Sequence, residues 1–293
     1  MYKTFALCFL SLCMMLVANA SHAQTADSTF IAGVKDYVFK EMNIVLDGTF
    51  YTHRDTSDQP LYYLYVSLKN KVEIPFGYNR KYATFNSKYD ANIVATYRQN
   101  MGYATFLYLA YASSSTLLNK RLLSYRRESV TMIVFHELMH NYIEQFKLDI
   151  PYDFNEAAAD ILGNYGAKKY AADSHEINLK TVKKQLRLNE NIYQCMNHCI
   201  AEISLHPDQT NTLTAACQQK IRKLLKHGDL FQHDRFDFDI NTATLLKNSY
   251  YSKNYFLLKR VFLKQKSIAA FLDIIKSLPT NDADAVNYLE RYL

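Results

Sequence analysis

The chain has 293 residues, 49% of them hydrophobic and 21% charged, with a formal net charge of +6. That apolar content argues for a globular body and excludes an intrinsically disordered chain, and the length allows one large domain or two modest ones. The basic residues are spread out. Clusters such as Lys180, Lys183, Lys184 and Arg187 read as the solvated face of a helix, so no nucleic-acid partner is expected.

In chain order, residues 1–23 read as a signal peptide. Lys3 gives a basic start, Phe5 to Val17 is an apolar run too short to span a bilayer, and Ala18, Ala20, Ser21 and Ala23 offer A-x-A-like cleavage sites. A lipoprotein variant acylated at Cys13 is disfavoured by the bulky Leu12 before it. Cleavage would remove Lys3 and no acid, so the charge falls from +6 to +5. No later segment reads as a transmembrane helix, and the sequence predicts export to the periplasm or the extracellular space.

Residues 29–42 have helical spacing, with Ile31, Val34, Val38 and Met42 on one side. Aromatic and β-branched residues then dominate Asn43–Tyr51, Leu61–Leu68 and Lys71–Phe76, which predicts strands, with Asp55–Pro60 as a turn-rich break. Ser87-Lys88-Tyr89-Asp90 resembles a capping box and opens a helix ending near Gly102. Tyr103–Ala112 reads as a buried strand, usable as an edge for a peptide, followed by a loop at Ser113–Thr116. One helix is predicted from about Arg127 to Phe146, and a second, capped by Asp153, continues to about Ala172. Beyond Ser174 the pattern is helical, broken near His206-Pro207, Gly228 and Leu278-Pro279. With no repeats and no long linker, this half should pack directly on the preceding helices.

The chemistry concentrates in His136-Glu137-Leu138-Met139-His140. Two histidines four apart on a helix project from one face and can grip one divalent ion, while Glu137 beside them can take a proton from the water that ion activates. Sixteen residues beyond His140 stands Glu156, a carboxylate available as third ligand. Asp160 lies one turn further on, placed to accept the spare ring N–H of a ligand histidine. Met132, Ile133, Phe135, Met139 and Ile143 make a wide apolar surface around the motif. Buried histidines flanking a Glu need a partner, and one Zn2+ per chain fits two imidazoles and a carboxylate. A donor to the developing oxyanion is also needed. Tyr251, Tyr250 and Tyr165 are candidates, with His198, His227 and His233 beside them.

Cys8 and Cys13 leave with the signal, so Cys195, Cys199 and Cys217 remain, an odd number in an oxidising compartment. A disulfide from Cys217 to Cys195 or Cys199 is expected. Cys195, His198 and Cys199 are the alternative, a second metal site without a fourth ligand at a recognisable spacing.

The run Ile133-Val134-Phe135-His136-Glu137-Leu138-Met139-His140 followed by Phe154-Asn155-Glu156 resembles the gluzincin metallopeptidases, and within them a bacterial family known as predicted aminopeptidases. The likeness extends through Ile74-Pro75-Phe76-Gly77-Tyr78, the Gly102-Tyr103 turn, Ala112-Ser113-Ser114-Ser115-Thr116-Leu117, Ile240-Asn241-Thr242-Ala243-Thr244-Leu245 and the helix through Phe256. The resemblance implies His136, His140 and Glu156 as zinc ligands, Glu137 as catalytic base, and cleavage of peptides from the amino end. The stretch after His140 is a few residues longer than that family suggests and shorter than in thermolysin-like enzymes. No G-x-M-E-N-like element is present, so recognition of an amino terminus is implied by the family alone.

The expected architecture is α+β: a zincin-like catalytic domain over residues 24–175 with a small N-terminal sheet and an active-site helix pair, then a helical subdomain over 176–293. The expected function is zinc-dependent hydrolysis of a peptide substrate. A metal-dependent hydrolase of a non-peptide amide and a non-catalytic zinc-binding secreted protein are the alternatives. The sequence assigns no oligomeric state.

Overall fold

The computed structural model describes residues 28–42, 61–78, 82–110, 125–227 and 239–293. The expected signal peptide, the strand at Asn43–Tyr51 and the loop at Ser113–Thr116 lie outside these residues.

The architecture is mixed, helices around one small antiparallel sheet. The first helix, α1 (Ser28–Met42), presents the predicted apolar stripe of Ile31, Val34, Val38 and Met42, all buried. Strand β1 (Leu61–Leu68) is central. It pairs antiparallel with β2 (Ala83–Phe85) on one side and β3 (Tyr103–Ala110) on the other, with Tyr65 opposite Phe106. Helix α2 (Lys88–Asn100) lies between β2 and β3 in sequence. Its N-terminus is capped as predicted: the Ser87 hydroxyl accepts from the backbone N–H of Tyr89 and Asp90. Gly102, at φ +88°, makes the turn into β3, a conformation that a Cβ would strain.

Three expectations are corrected here. Lys71–Phe76 is not a strand; it is a turn, because the Ser67 hydroxyl donates to the carbonyls of Lys71 and Glu73 while the Leu68 N–H bonds the Glu73 carbonyl. The second partner of β1 is instead the short β2. Strand β3 is only partly buried along its length. Asp153 does not cap its helix. Pro151 occupies that position, and Asp153 sits in the first turn, 3.0 Å from Lys253 Nζ.

The motif helix α3 (Arg127–Gln145) buries Val130, Val134, Phe135, Leu138, Met139 and Tyr142. After the turn at Lys147, α4 (Tyr152–Ile161) runs into a π turn at Leu162–Gly166 and continues as α5 (Ala167–Asp173). The two glycines of that turn explain the close approach. A Cβ on Gly163 would stand 2.8 Å from the Met132 carbonyl oxygen, and one on Gly166 would stand 2.3 Å from the Phe135 ring.

The long α6 (Leu179–Leu205) and α7 (Thr210–His227) form a hairpin, and α8 (Thr242–Ser252), α9 (Tyr255–Lys264), α10 (Ile268–Lys276) and α11 (Asp282–Glu290) follow. One apolar cluster joins α1, α3, α4, α9 and α10. The C-terminal helices therefore pack directly on the motif helices. Helix α8 is tied to the sheet by two bonds: Asn241 Nδ2 donates to the Thr105 carbonyl at 3.1 Å, and Thr242 Oγ1 to the Leu68 carbonyl at 2.6 Å. Tyr65 and Phe106 of the sheet pack on Leu246 and Tyr250 of α8, whereas Leu64 and Val66 face α2. The aromatic face of the sheet is thus covered by α8, and Tyr152 of α4 packs against the same cluster.

Candidate metal centre

His136 and His140 stand on one face of α3, and α4 crosses it with Glu156. The His136 and His140 Nε2 atoms are 3.2 Å apart, and Glu156 Oε2 lies 3.8 Å from each. Among the described residues this is the one group of three or more His, Cys, Asp or Glu side chains able to hold a metal ion. The side chains of His136 and His140 keep 16% and 17% of their exposure, so the centre is reachable from solvent, while Glu156 keeps 8%.

Each imidazole is fixed by a partner on α4. His136 Nδ1 meets Asp160 Oδ1 at 2.8 Å, and His140 Nδ1 meets Asn155 Oδ1 at 2.7 Å. Both partners are acceptors, so each Nδ1 carries a hydrogen and the two Nε2 atoms are left facing each other. Two ring nitrogens held this close share a cation, either a proton in a hydrogen bond or a metal ion. Two nitrogens bound to one tetrahedral ion at about 2.0–2.1 Å lie about 3.3 Å apart, close to the separation found. Glu156 Oε2 is buried with no hydrogen-bond partner, as is Glu137 Oε2, which leaves oxygens for an ion and for a water. The residues present therefore fit a divalent cation.

The surrounding charge agrees. Burial works against a charged His136, yet the hydrogen bond and charge of Asp160, with Glu137 and Glu156, hold its pKa up to about 9. That proton affinity reports a negative pocket. Burial raises the Glu137 carboxyl above its usual range, although His136 and His140 oppose it.

Support extends beyond α4. The Tyr193 hydroxyl on α6 donates to Asp160 Oδ2, so Asp160 bridges His136 and the C-terminal half. A hydrogen bond from Tyr152, one turn before Glu156 on the same helix, holds the third ligand. Asp160 is legible in the sequence, whereas the roles of Asn155, Tyr152 and Tyr193 emerge only in the fold. Asn155 and Tyr152 follow from α4 periodicity once Glu156 is a ligand. Tyr193 had no local signal.

Of the three tyrosines considered as oxyanion donors, only Tyr251 reaches the centre. Its ring stacks on that of His136, centroids 6.1 Å apart, and burial, then the charge of Glu156, keeps its hydroxyl protonated. Tyr250 packs instead against Tyr152 and Tyr65. The Tyr165 hydroxyl donates to Glu190 at 2.9 Å, where Lys259 also binds at 2.7 Å. Tyr63 and Tyr82, with ring centroids 4.6 Å apart and planes tilted by 36°, form part of the facing wall; burial, then the charges of Tyr82 and Glu137, push the Tyr63 hydroxyl to about 12.

The disulfide expected from Cys217 to Cys195 or Cys199 is not formed. All three are free thiols, and the Cys195 and Cys217 sulfurs are 3.8 Å apart, far beyond a covalent bond of about 2.0 Å. Cys195, His198 and Cys199 do not gather as a metal site either, because the His198 side chain is 64% exposed and directed to Glu202. Compared with protein-family models, with curated proteins and with solved structures, the chain has no match in any of the three. Among the described residues no helix is long and apolar enough to cross a membrane.

Proposed function

We propose that the chain is an exported zinc-dependent peptidase with a zincin-like catalytic domain of gluzincin type, acting on short peptides. The observation that carries this reading is Glu137, a carboxylate with a buried, unpartnered oxygen standing beside an intact His136–His140–Glu156 triad. A protein that merely bound a metal would have no use for that oxygen.

His136, His140 and Glu156 would hold the ion, and two imidazoles with one carboxylate favour zinc. Zinc bound there would supply Lewis acidity toward the attacking water and the scissile carbonyl. Glu137 accepts the water's proton and returns it to the leaving amine. Tyr251, a protonated donor stacked on His136, serves the developing oxyanion. Asp160 and Asn155 hold the imidazoles in the tautomer that leaves Nε2 free to bind. The tyrosine wall offers flat, apolar area to a peptide. Preference for amino ends is drawn from the family resemblance and from no residue of the site.

The test is elemental analysis of the purified protein and of Glu156→Ala, with hydrolysis of a fluorogenic peptide library and Glu137→Gln as a metal-retaining control. One zinc per chain, weakened by Glu156→Ala, with turnover lost in Glu137→Gln, supports the reading. Zinc without turnover on any peptide would overturn the peptidase assignment.

A further inference from the structure

The metal centre leaves the three cysteines unused, and they are not scattered. Cys195 and Cys199 sit one turn apart on α6, and Cys217 faces them from α7 inside the apolar cluster of Leu188, Ile192, Met196, Ile221 and Leu225. Cys195 Sγ is 3.8 Å from Cys217 Sγ, and Cys217 is also hydrogen-bonded to Cys199. Cys217 is therefore the shared thiol, flanked on both sides. The three differ in access: Cys199 and Cys217 are buried, and Cys195 is partly exposed.

We infer that the α6–α7 hairpin carries a thiol–disulfide exchange site for small disulfides, with Cys195 as entry thiol, Cys217 as its resolving partner and Cys199 as the alternative partner. Access and charge select Cys195. The hydrogen bond from Cys217 outweighs burial and, with the charge of Lys220, lowers its thiol to about 7. Cys217 is shifted upward by its two thiol neighbours and by burial, which keeps it protonated until Cys195 has reacted.

The steps balance. The Cys195 thiolate attacks one sulfur of an external disulfide, forming a mixed disulfide and releasing one thiolate. Cys217 passes its proton to that thiolate and attacks the Cys195 sulfur, expelling the second thiolate. The external disulfide is reduced to one thiol and one thiolate, and the protein gains a Cys195–Cys217 bond between α6 and α7. Cys199, within reach of Cys217, allows the bond to migrate.

The test uses the reduced, purified protein with oxidised glutathione at pH 7, followed by alkylation and non-reducing peptide mapping. The expected map joins Cys195 to Cys217 and leaves Cys199 alkylated, with Cys195 consumed roughly tenfold faster than an ordinary thiol. Cys217→Ser should trap glutathione on Cys195, and Cys195→Ser should shift any bond to Cys199–Cys217. Three thiols still alkylatable in the wild type would overturn the inference, as would a wild-type Cys199–Cys217 bond with Cys195 free. Neither result bears on zinc content or peptide turnover, so this site and the metal centre stand or fall separately.

Discussion

Two helix pairs gather the reactive side chains of this protein, and they do so by opposite means. At the α3–α4 pair, hydrogen bonds set the ligands: Asp160 and Asn155 orient the imidazoles, and Tyr193 fixes Asp160 from a third helix. At the α6–α7 hairpin, aliphatic packing sets the spacing, and the thiols otherwise meet little more than backbone carbonyls such as that of Leu213, 3.6 Å from Cys199. A hydrogen-bonded cluster fixes where lone pairs point and so selects an ion. An apolar cluster fixes only proximity, which suffices for exchange between sulfurs.

This contrast can be broken by mutation. The largest expected effect is that of Glu137→Gln, which should lower peptide turnover by about a thousandfold through loss of the proton acceptor, with zinc retained. Elemental analysis beside a fluorogenic assay checks both parts, and equal loss of metal and activity would refute the role given to Glu137. Asp160→Asn should weaken zinc binding by about 10–100-fold, since it removes the charge behind His136. Competition with a chromogenic chelator measures it. Gly166→Ala should destabilise the fold by about 1–3 kcal/mol, because its Cβ would meet the Phe135 ring at 2.3 Å. A lowered urea midpoint with unchanged glutathione reactivity at Cys195 is expected. The smallest effect is that of Cys217→Ser, which should leave zinc affinity within about twofold because the hairpin thiols make no contact with the ligands. The same chelator competition decides it.

Much of the site was legible because its signals are local. The spacing of His136 and His140 is a property of one helix, and Glu156 with Asp160 repeats that logic on the next. Ser87 capped as read, since a cap is decided within four residues. What escaped depended on the competition between neighbours or on distance. Lys71–Phe76 has the composition of a strand, but the Ser67 hydroxyl bends it into a turn. Asp153 has the chemistry of a cap, but Pro151 starts the helix earlier and Lys253 claims the carboxylate. The π turn at Leu162–Gly166 follows from how closely Gly163 and Gly166 let it approach α3, which no periodicity reports. Tyr193 joins Asp160 across 33 residues, and Tyr251 reaches His136 because α8 is fastened to the sheet by Asn241 and Thr242. Such contacts exist only once the fold does.

The most direct measurement is zinc stoichiometry on the purified wild-type protein beside Glu156→Ala and His140→Ala, with circular dichroism to show that each is folded. The account predicts one zinc per wild-type chain and marked loss in both variants at unchanged helical content. A folded wild type that takes up no zinc at saturating concentration, or variants that hold it as tightly as the wild type, would contradict it.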